Sequence, residues 1–305
     1  MFDLVFLGTS ASAPSVQRGL SATMISYKEH RFLIDCGEGT QRQILSSGLG
    51  FKRLNKILVT HDHLDHILGL GGLTSTLSRW EAIDQITIYG GQRTLDRIKQ
   101  LLFQVVFPGQ RGPVNIELTA LKQGPIFENR TFKLTCFPVF HRGTDSFGFI
   151  FTEKSRRRFL NDKAESLGVP IGPERRLLVS GQAITLADGR VIEPEQVLGP
   201  EIAGTKIAYV GDTGRTDNLV EHVRGADLLV IEATYLDQDA DMAGRFSHLT
   251  ARQAAQLAIE AEVKQLYLNH ISRRYWEQDI LDEARSVFPN SHVARDLEHV
   301  EISRK

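Results

Sequence analysis

The chain has 305 residues, of which 41% are hydrophobic and 24% charged, and its formal net charge at pH 7 is −1. These values are ordinary for a globular protein of one or two domains, and they exclude an overall basic field, so a nucleic-acid partner would have to be held by a local patch. Cys36 and Cys136 are the only cysteines, which excludes a disulfide framework and suits a reduced interior. The chain start lacks the features of a signal peptide and no run of 18 apolar residues occurs, so we expect no membrane partner and a cytoplasmic location.

Strand and helix patterns alternate along the chain. Strands are predicted at residues 2–7, 22–27, 31–36, 57–60, 86–89, 114–121, 131–139, 147–152, 206–210, 226–232, 264–268 and 300–302. Helices are predicted within 67–80, over 92–106, from 247 to 262 and after 275. Alternation with interleaved hairpins favours an α/β fold in which two sheets pack together with helices outside, a four-layer α/β/β/α sandwich spanning residues 1–305 as a single domain.

A metal site is predicted at residues 56–69, KILVTHDHLDHILG. An aliphatic strand releases three imidazoles and two carboxylates within six residues, and a buried polar group needs a partner that a metal ion can supply. His61 and His63 point the same way if extended and can share one ion, while Asp65 and His66 can turn toward a second. Nitrogen and oxygen ligands suit zinc, with manganese or iron as alternatives. The competing interpretation is a solvated polar loop.

The pattern H-x-H-x-D-H after a strand resembles the metallo-β-lactamase superfamily, which implies a hydrolytic metal site without choosing a substrate. Two further ligands follow predicted strand ends: His141, which could otherwise be a capping or surface residue, and Asp212 in G-D-T, which could otherwise cap a helix. His270 stands just beyond the strand at 264–268. The expected ligand set is His61, His63 and His141 for one ion, Asp65, His66 and His270 for the other, and Asp212 between them.

Between residues 153 and 204 the periodicity fails. An irregular stretch of this length within a compact domain is more typical of a functional insertion than of a loop. Residues 153–176 carry seven positive and four negative side chains, a net charge of +3, which favours a partner with a phosphate backbone. A solvated surface excursion is the alternative. The candidate contacts are Arg156, Arg157, Arg158, Arg175 and Arg176.

Motifs along nearly the whole chain resemble the ribonuclease Z (tRNase Z) family, short form. They are G-T-S at 8–10, D-C-G-E-G-T-Q-R-Q at 35–43, T-H-D-H-L-D-H at 60–66, G-D-T at 211–213, E-A-T-Y at 232–235, S-H-L-T at 247–250 and N-H-I-S-R-R-Y at 269–275. The insertion resembles the flexible exosite arm of that family. Two stretches depart from the family pattern: residues 14–19 lack its Lys and Asn, and residues 176–181 lack its second basic residue.

The resemblance implies a zinc-dependent endoribonuclease that removes the 3′ trailer from precursor tRNA, leaving a 3′-hydroxyl on the tRNA and a 5′-phosphate on the trailer. It implies two Zn²⁺ ions per subunit, with Mn²⁺ as an alternative, a shared hydroxide that attacks the phosphodiester, and Asp65 as the residue that orients it. His248, held by Glu232 and Arg252, would protonate the leaving oxygen. The arm would grip the tRNA elbow across a homodimer. The remaining implied substrate contacts are Arg18, Ser272, Arg274 and Tyr275.

Two other functions stay open at this point. A small-molecule hydrolase of the same fold, acting on a thioester, lactone or simple phosphodiester, would use a similar ligand set but would not need the insertion. An RNA-binding protein with a purely structural metal would close its site with four ligands, whereas the expected set leaves room for water.

Overall fold

The computed structural model describes residues 1–80, 83–109, 114–143 and 145–303, which form two compact units. The first comprises Met1–Thr152 and Thr205–Lys305, and the second comprises Glu153–Gly204. The strands are β1 Phe2–Gly8, β2 Ala22–Tyr27, β3 His30–Ile34, β4 Lys56–Leu58, β5 Gln85–Gly90, β6 Asn115–Ala120, β7 Gly124–Glu128, β8 Phe132–Val139, β9 Ser146–Glu153, β10 Arg156–Phe159, β11 Ile184–Thr185, β12 Val191–Ile192, β13 Leu198–Ile202, β14 Lys206–Tyr209, β15 Leu228–Glu232, β16 Leu266–Asn269, β17 Ser291–Val293 and β18 His299–Ile302.

The helices are α1 Thr40–Ser46, α2 Leu64–Ile67, α3 Gly69–Trp80, α4 Gln92–Gln100, α5 Asn161–Ser166, α6 Pro173–Val179, α7 Pro194–Val197, α8 Val220–Val223, α9 Ala240–Phe246, α10 Ala251–Glu260 and α11 Glu277–Arg285. A π-helical segment, Leu101–Val106, continues α4, and a 3₁₀ turn, Asp237–Asp239, precedes α9. Among the described helices, none is both long enough and apolar enough to cross a bilayer.

Two seven-stranded sheets build the first unit, in the orders β18-β1-β2-β3-β4-β5-β6 and β17-β16-β15-β14-β9-β8-β7. In the first sheet β3 to β6 run parallel, and in the second β14 to β17 run parallel. Parallel strands bring their carboxyl ends to one edge of a sheet, where ligands are usually bound. The residues that follow β3, β4, β14, β15 and β16 are therefore placed to meet each other within their own sheets.

Aromatic side chains fill the layer between the two sheets. Phe2, Phe32 and Phe151 are fully or almost fully buried, and Phe32 and Phe151 meet edge to face with ring centroids 5.4 Å apart. Helices α3 and α4 cover the outer face of the first sheet, while α10 and α11 lie against the second. The alanine-rich inner face of α10 lets this helix approach β15 and β16 closely. The predicted α/β sandwich of two packed sheets with outer helices is confirmed.

The second unit has a small apolar core of its own. Ala164, Leu178 and Val197 are completely buried in it, together with three other side chains. Two-stranded sheets β10–β13 and β11–β12 and the short helices α5, α6 and α7 surround this core. The unit is therefore regular, although its sequence shows no periodicity, because elements of two to seven residues are too short to establish a period.

Candidate metal centre

Most of the predicted ligands lie just beyond strand ends, and His141 follows β8, which pairs antiparallel with β7. His61 follows β4, Asp212 follows β14 and His270 follows β16, while Asp65 and His66 belong to the short helix α2. All of them except His63 and Asp65 are buried, and the Asp65 side chain is 13% exposed. The backbone of His270 adopts a φ of 56°, a left-handed conformation that is uncommon for residues other than glycine.

Asp212 joins two groups of ligand atoms. Its Oδ2 lies 3.6 Å from Nε2 of His61 and 3.8 Å from Nε2 of His141. Its Oδ1 lies 3.5 Å from Nε2 of His66 and 3.4 Å from Nε2 of His270. Two ligand atoms about 2.0–2.1 Å from one tetrahedral ion are about 3.4 Å apart, so both spacings suit shared coordination.

The side chains of His63 and Asp65 complete the two groups of ligand atoms. Nδ1 of His63 lies 3.4 Å from Nε2 of His141, and Oδ2 of Asp65 lies 3.4 Å from Nε2 of His270. The potential ligand atoms of His61, His63, His141 and Asp212 all lie within 4.8 Å of one another, and so do those of Asp65, His66 and His270. The structure thus brings together all seven side chains that the sequence predicts as ligands.

Asp35 and Thr60 fix two of the imidazoles from outside the centre. The Thr60 hydroxyl donates to Oδ2 of Asp35 at 2.9 Å, so its oxygen accepts the hydrogen bond from Nδ1 of His61 at 3.0 Å. Nδ1 of His66 donates to the same Oδ2 at 2.8 Å. In the described structure neither Nε2 has a hydrogen-bond partner although both are buried, so both rings face the centre with the nitrogen that a metal would bind.

Glu232 and Thr234 form a matching pair at the end of β15. The Thr234 hydroxyl donates to Oε2 of Glu232 at 2.6 Å and accepts from Nδ1 of His270 at 2.9 Å. Oε1 of Glu232 accepts from Nδ1 of His248 at 2.9 Å and from the Thr213 amide at 2.7 Å. Glu232 therefore positions one ligand, His270, and one imidazole outside the ligand set, His248.

The protonation states of most ligands suit a divalent cation. Burial lowers the pKa of His61 well below its usual value and that of His63 to about 4, so both rings are neutral at neutral pH. Burial opposes ionisation of Asp212, but His270 and His66 hold its pKa well below the usual range. Oδ1 of Asp212 is also buried without a hydrogen-bond partner in the described structure. Neutral imidazoles and an ionised carboxylate are the forms that bind metals, so this donor set fits divalent ions.

His66 differs from the other ligands in its charge. Burial opposes its protonation, but the surrounding carboxylates of Asp212, Asp35 and Asp65 raise its pKa well above the usual value. Without a cation, the second proton of His66 offsets part of this negative charge. A metal held by this group would take over that role, and its binding at this ring would release a proton.

His248 lies beside the ligands but is held differently. Its Nδ1, which lies 3.9 Å from Oδ2 of Asp212, donates to Glu232. His248 could be grouped with Asp212 and His270, or with His141 and Glu232, as a further metal site. That hydrogen bond places a proton on Nδ1, which argues against Nδ1 as a ligand atom in either grouping. Burial opposes the charge on His248, but Glu232 outweighs it and raises the pKa to about 9, so this ring holds a proton at neutral pH.

Arg252 does not join His248. Its Nε lies 3.2 Å from Oδ2 of Asp237, and its side chain is 45% exposed. The helix predicted from residue 247 to residue 262 would place His248 and Arg252, four residues apart, on one face. In the structure, Thr250 caps α10 and accepts from the Gln253 amide, so His248 precedes the helix and the spacing of four has no helical meaning.

Most of the predicted substrate contacts near the centre already have hydrogen-bond or ion-pair partners within the protein. Arg18 donates to the Thr9 hydroxyl at 2.6 Å and pairs with Glu277 at 2.8 Å. The Tyr275 hydroxyl donates to a carboxylate oxygen of Asp239. Arg18 and Tyr275 are thus structural in this conformation. Ser272 accepts from the Arg274 amide at 3.3 Å, and the Arg274 side chain is exposed.

The arginines of the second unit divide into two groups. Arg157 donates to the Gly199 carbonyl at 2.8 Å, and Arg175 donates to Oδ1 of Asn161 at 3.1 Å, so both stabilise the unit itself. The exposed arginines are Arg156, Arg158, Arg176 and Arg190, of which Arg190 pairs with Asp188. Glu153–Gly204 as a whole contains eight positive and eight negative side chains, so the +3 charge of residues 153–176 is balanced by the rest of the unit.

Three positioning residues escaped the sequence analysis. Thr60 and Thr234 each lie within two residues of a strand-end carboxylate or ligand, but threonine is too common at such places to be recognised. Asp62, between two ligands, turns away from the centre. Its carboxylate lies 3.1 Å from Nε of Arg93, and its carbonyl accepts from Arg97 at 2.9 Å, which ties the ligand loop to α4.

Comparisons with known proteins agree with this geometry. Residues 2–165 match the family described as anti-Pycsar protein Apyc1, and residues 170–271 match the family described as beta-lactamase superfamily domain. A ribonuclease Z of Bradyrhizobium diazoefficiens is 49% identical over 302 residues, which covers 99% of this chain and 100% of that protein.

Two solved structures resemble the chain over nearly its full length. Human tRNase Z, short form, is 28% identical with a TM-score of 0.66, covering 98% of this chain and 99% of that chain. The metallo-beta-lactamase fold protein YhfI of Bacillus subtilis is 16% identical with a TM-score of 0.71, covering 99% of this chain and 100% of that chain. The second likeness concerns the fold alone, and it confirms the predicted fold class.

Proposed function

The chain belongs to the ribonuclease Z family, and on that premise we propose that it is a metal-dependent endoribonuclease that removes the 3′ trailer from precursor tRNA. The cut leaves a 3′-hydroxyl on the tRNA and a 5′-phosphate on the trailer. The observation that carries this proposal is the pairing of two ligand groups around Asp212 with a protonated imidazole, His248, at their side.

The centre holds two Zn²⁺ ions per chain in this proposal. Imidazole nitrogens predominate among its donors, and such donors suit zinc better than manganese, which remains the alternative metal. When bound, the two ions supply neutralisation of charge on the phosphodiester oxygens and an attacking water whose pKa is lowered to near neutrality. Within the described structure, Asp35, Asp65, Asp212 and Glu232 provide four negative charges near the ligands, which two divalent cations would offset.

Asp65 orients the attacking water and accepts its proton. Burial opposes ionisation of this carboxylate, but His66 holds its pKa well below the usual range, so it is ionised at neutral pH. The Ser12 amide donates to Oδ2 of Asp65 at 2.9 Å and fixes its position. An ionised carboxylate facing the ligand group is the acceptor that a general base requires.

His248 supplies the proton that the leaving group needs. As the bond between phosphorus and the tRNA 3′-oxygen breaks, the imidazolium donates its proton to that oxygen and becomes neutral. Glu232 stabilises the charged form before the cut and keeps the ring oriented. A general acid of this kind contributes about 10²–10⁴-fold to the rate.

The second unit contacts the tRNA elbow in this proposal. Arg156 and Arg158 alternate along β10 and are both exposed, so they lie on the same face of the strand. Together with Arg176 they offer phosphate contacts that depend on backbone shape rather than on base sequence, as is usual for duplex RNA. We further propose a homodimer in which this arm of one subunit serves the active site of the other.

A reducing compartment, the cytoplasm, suits the two cysteines. Cys36 and Cys136 are both free and both buried. Burial raises the pKa of the Cys36 thiol to about 12 and that of Cys136 to about 11, so both remain protonated and unreactive.

A cleavage assay on a 3′-extended precursor tRNA, with and without a chelator, tests the proposed function. We expect a single cut that releases the trailer with a 5′-phosphate, and we expect the chelator to abolish it. A protein that hydrolyses a small chromogenic phosphodiester in a chelator-sensitive way but cuts no precursor tRNA would be a small-molecule hydrolase instead.

The structure suggests a clean way to remove the second unit. Thr152 on β9 and Lys206 on β14 are register partners in adjacent antiparallel strands, so a short turn can join them. Replacing Glu153–Gly204 by Gly-Asn-Gly should lower precursor cleavage by at least about 100-fold while hydrolysis of the small phosphodiester continues. Equal loss of both activities would contradict a separate binding arm.

A further inference from the structure

A cavity of about 530 Å³ lies beside the metal ligands, between the N-terminal loop and the segment that follows β16. Its wall includes Ile271, which directly follows the ligand His270, and Ser10, which pairs with Ile271. Two residues after Ser10, the Ser12 amide donates to Asp65. The cavity therefore adjoins the reaction centre, and its volume is typical of a ligand site.

The wall of this cavity is basic. It contains Arg18, Arg273 and Arg274 against one carboxylate, Glu277, which gives a net charge of +2. Glu277 pairs with Arg18 and, outside the cavity, with Arg295. Arg273 and Arg274 are exposed, and no carboxylate in the described part of the chain lies within ion-pairing distance of either. Two guanidinium groups are thus available to an anion.

Trp276 lies at the rim of the same cavity, and the residue is 82% exposed. Its backbone is extended, with φ −72° and ψ 144°, and it directly precedes α11, so its position is fixed by regular structure. The neighbouring Tyr275 is held by Asp239. By contrast Trp80, the other tryptophan of the chain, is 59% exposed and packs against Phe51 with ring centroids 5.4 Å apart.

We propose that an unpaired nucleotide next to the cleaved bond stacks its base on Trp276 and places its phosphate against Arg273 and Arg274. An exposed aromatic ring beside unpaired arginines is the combination that binds single-stranded nucleic acid. This inference rests on the proposed function and adds a site for single-stranded RNA to the duplex contacts of the arm. The nucleotide comes from the tRNA end or from the trailer, and both have the same chemistry.

Kinetics on precursor tRNA test the stacking. We expect Trp276→Ala to raise KM by about tenfold, because stacking of one base on an aromatic ring contributes this much or more to binding. Trp276→Phe should restore most of the loss, since phenylalanine keeps a ring at this place. Trp80→Ala is the matched control and should leave KM within about twofold of the wild type. Equal KM values for Trp276→Ala and Trp80→Ala in a protein that cuts precursor would overturn the inference and leave the proposed function intact.

Fluorescence gives a direct reading of the contact. In a metal-loaded Trp80→Phe, His248→Ala variant, Trp276 is the sole tryptophan and the substrate is cut about 100-fold or more slowly, so stacking should quench the emission as precursor is added, before cleavage. A tRNA without a trailer and a precursor with a five-nucleotide trailer distinguish the sources of the base. Quenching by both places the tRNA end on Trp276, and quenching by the precursor alone places the trailer there. Saturating binding of both RNAs with unchanged emission would refute the stacking.

Discussion

Two carboxylate–threonine pairs hold the imidazoles of the centre, one from each sheet. Asp35 with Thr60 lies at the ends of β3 and β4, and Glu232 with Thr234 lies at and just beyond the end of β15. In both pairs the threonine hydroxyl donates to the carboxylate and accepts a hydrogen bond from an imidazole Nδ1. The same local device therefore appears twice in unrelated stretches of sequence.

The pairs differ in what they hold. Asp35 and Thr60 position two predicted ligands, His61 and His66, whereas Glu232 bonds directly to His248, the proposed proton donor. Where the other nitrogen of the imidazole faces a metal, a carboxylate hydrogen bond fixes the tautomer of the ring. Where it does not, the same hydrogen bond keeps a proton on the ring. The comparison teaches that the position of the second ring nitrogen, and not the hydrogen bond itself, decides whether the histidine binds metal or transfers a proton.

The largest expected effect comes from removing the carboxylate of Asp212, which joins the two groups of ligand atoms. Asp212→Ala deletes a ligand of both groups and should lower cleavage by at least about 1,000-fold, with loss of bound metal measured by mass spectrometry. Asp217→Ala is the control, because Asp217 lies in the following loop and is exposed beside Arg215. Retention of two metals by Asp212→Ala would contradict the shared-ligand arrangement.

A substitution at Glu232 should affect catalysis more than metal binding. Glu232→Gln removes the charge that keeps His248 protonated, so kcat should fall by about 100-fold. Adding excess Zn²⁺ should not restore it. A full rescue by metal would show that Glu232 acts only through the ligand His270.

A substitution at Asp35 should affect metal binding more than catalysis. Asp35→Asn weakens the hold on His66 and Thr60 and should reduce metal affinity by about 10–100-fold, as measured by titration with a competing chelator. Here excess Zn²⁺ should restore most of the activity. An Asp35→Asn protein that stays impaired at saturating metal would argue that the two pairs do not have different roles.

The smallest effect is expected at Arg252. Its exposed ion pair with Asp237 is of the kind that contributes little, so Arg252→Ala should change kcat by less than about threefold. A loss comparable to that of Glu232→Gln would mean that Arg252 reaches His248 when substrate is bound.

The sequence predicted the fold and the side chains that converge on the centre, because both leave strong local patterns. Three histidines and two aspartates after an aliphatic strand are uncommon without a metal, and the strand-end positions of Asp212 and His270 follow from the parallel topology. What the sequence could not predict are contacts between distant segments. The bond from Thr234 to His270 and the pairing of Arg18 with Glu277 arise only when the chain is folded.

Metal content and cleavage, measured together for His248→Ala and His270→Ala, test the central claim most directly. The two rings lie 5.5 Å apart and both are tied to the Glu232–Thr234 pair, so the variants differ mainly in which ring is lost. We expect His248→Ala to keep two metals per chain and to cut precursor tRNA about 100-fold or more slowly, while His270→Ala loses metal as well as activity. Loss of metal from His248→Ala to the same extent as from His270→Ala would contradict the assignment of one ring as a proton donor and the other as a ligand.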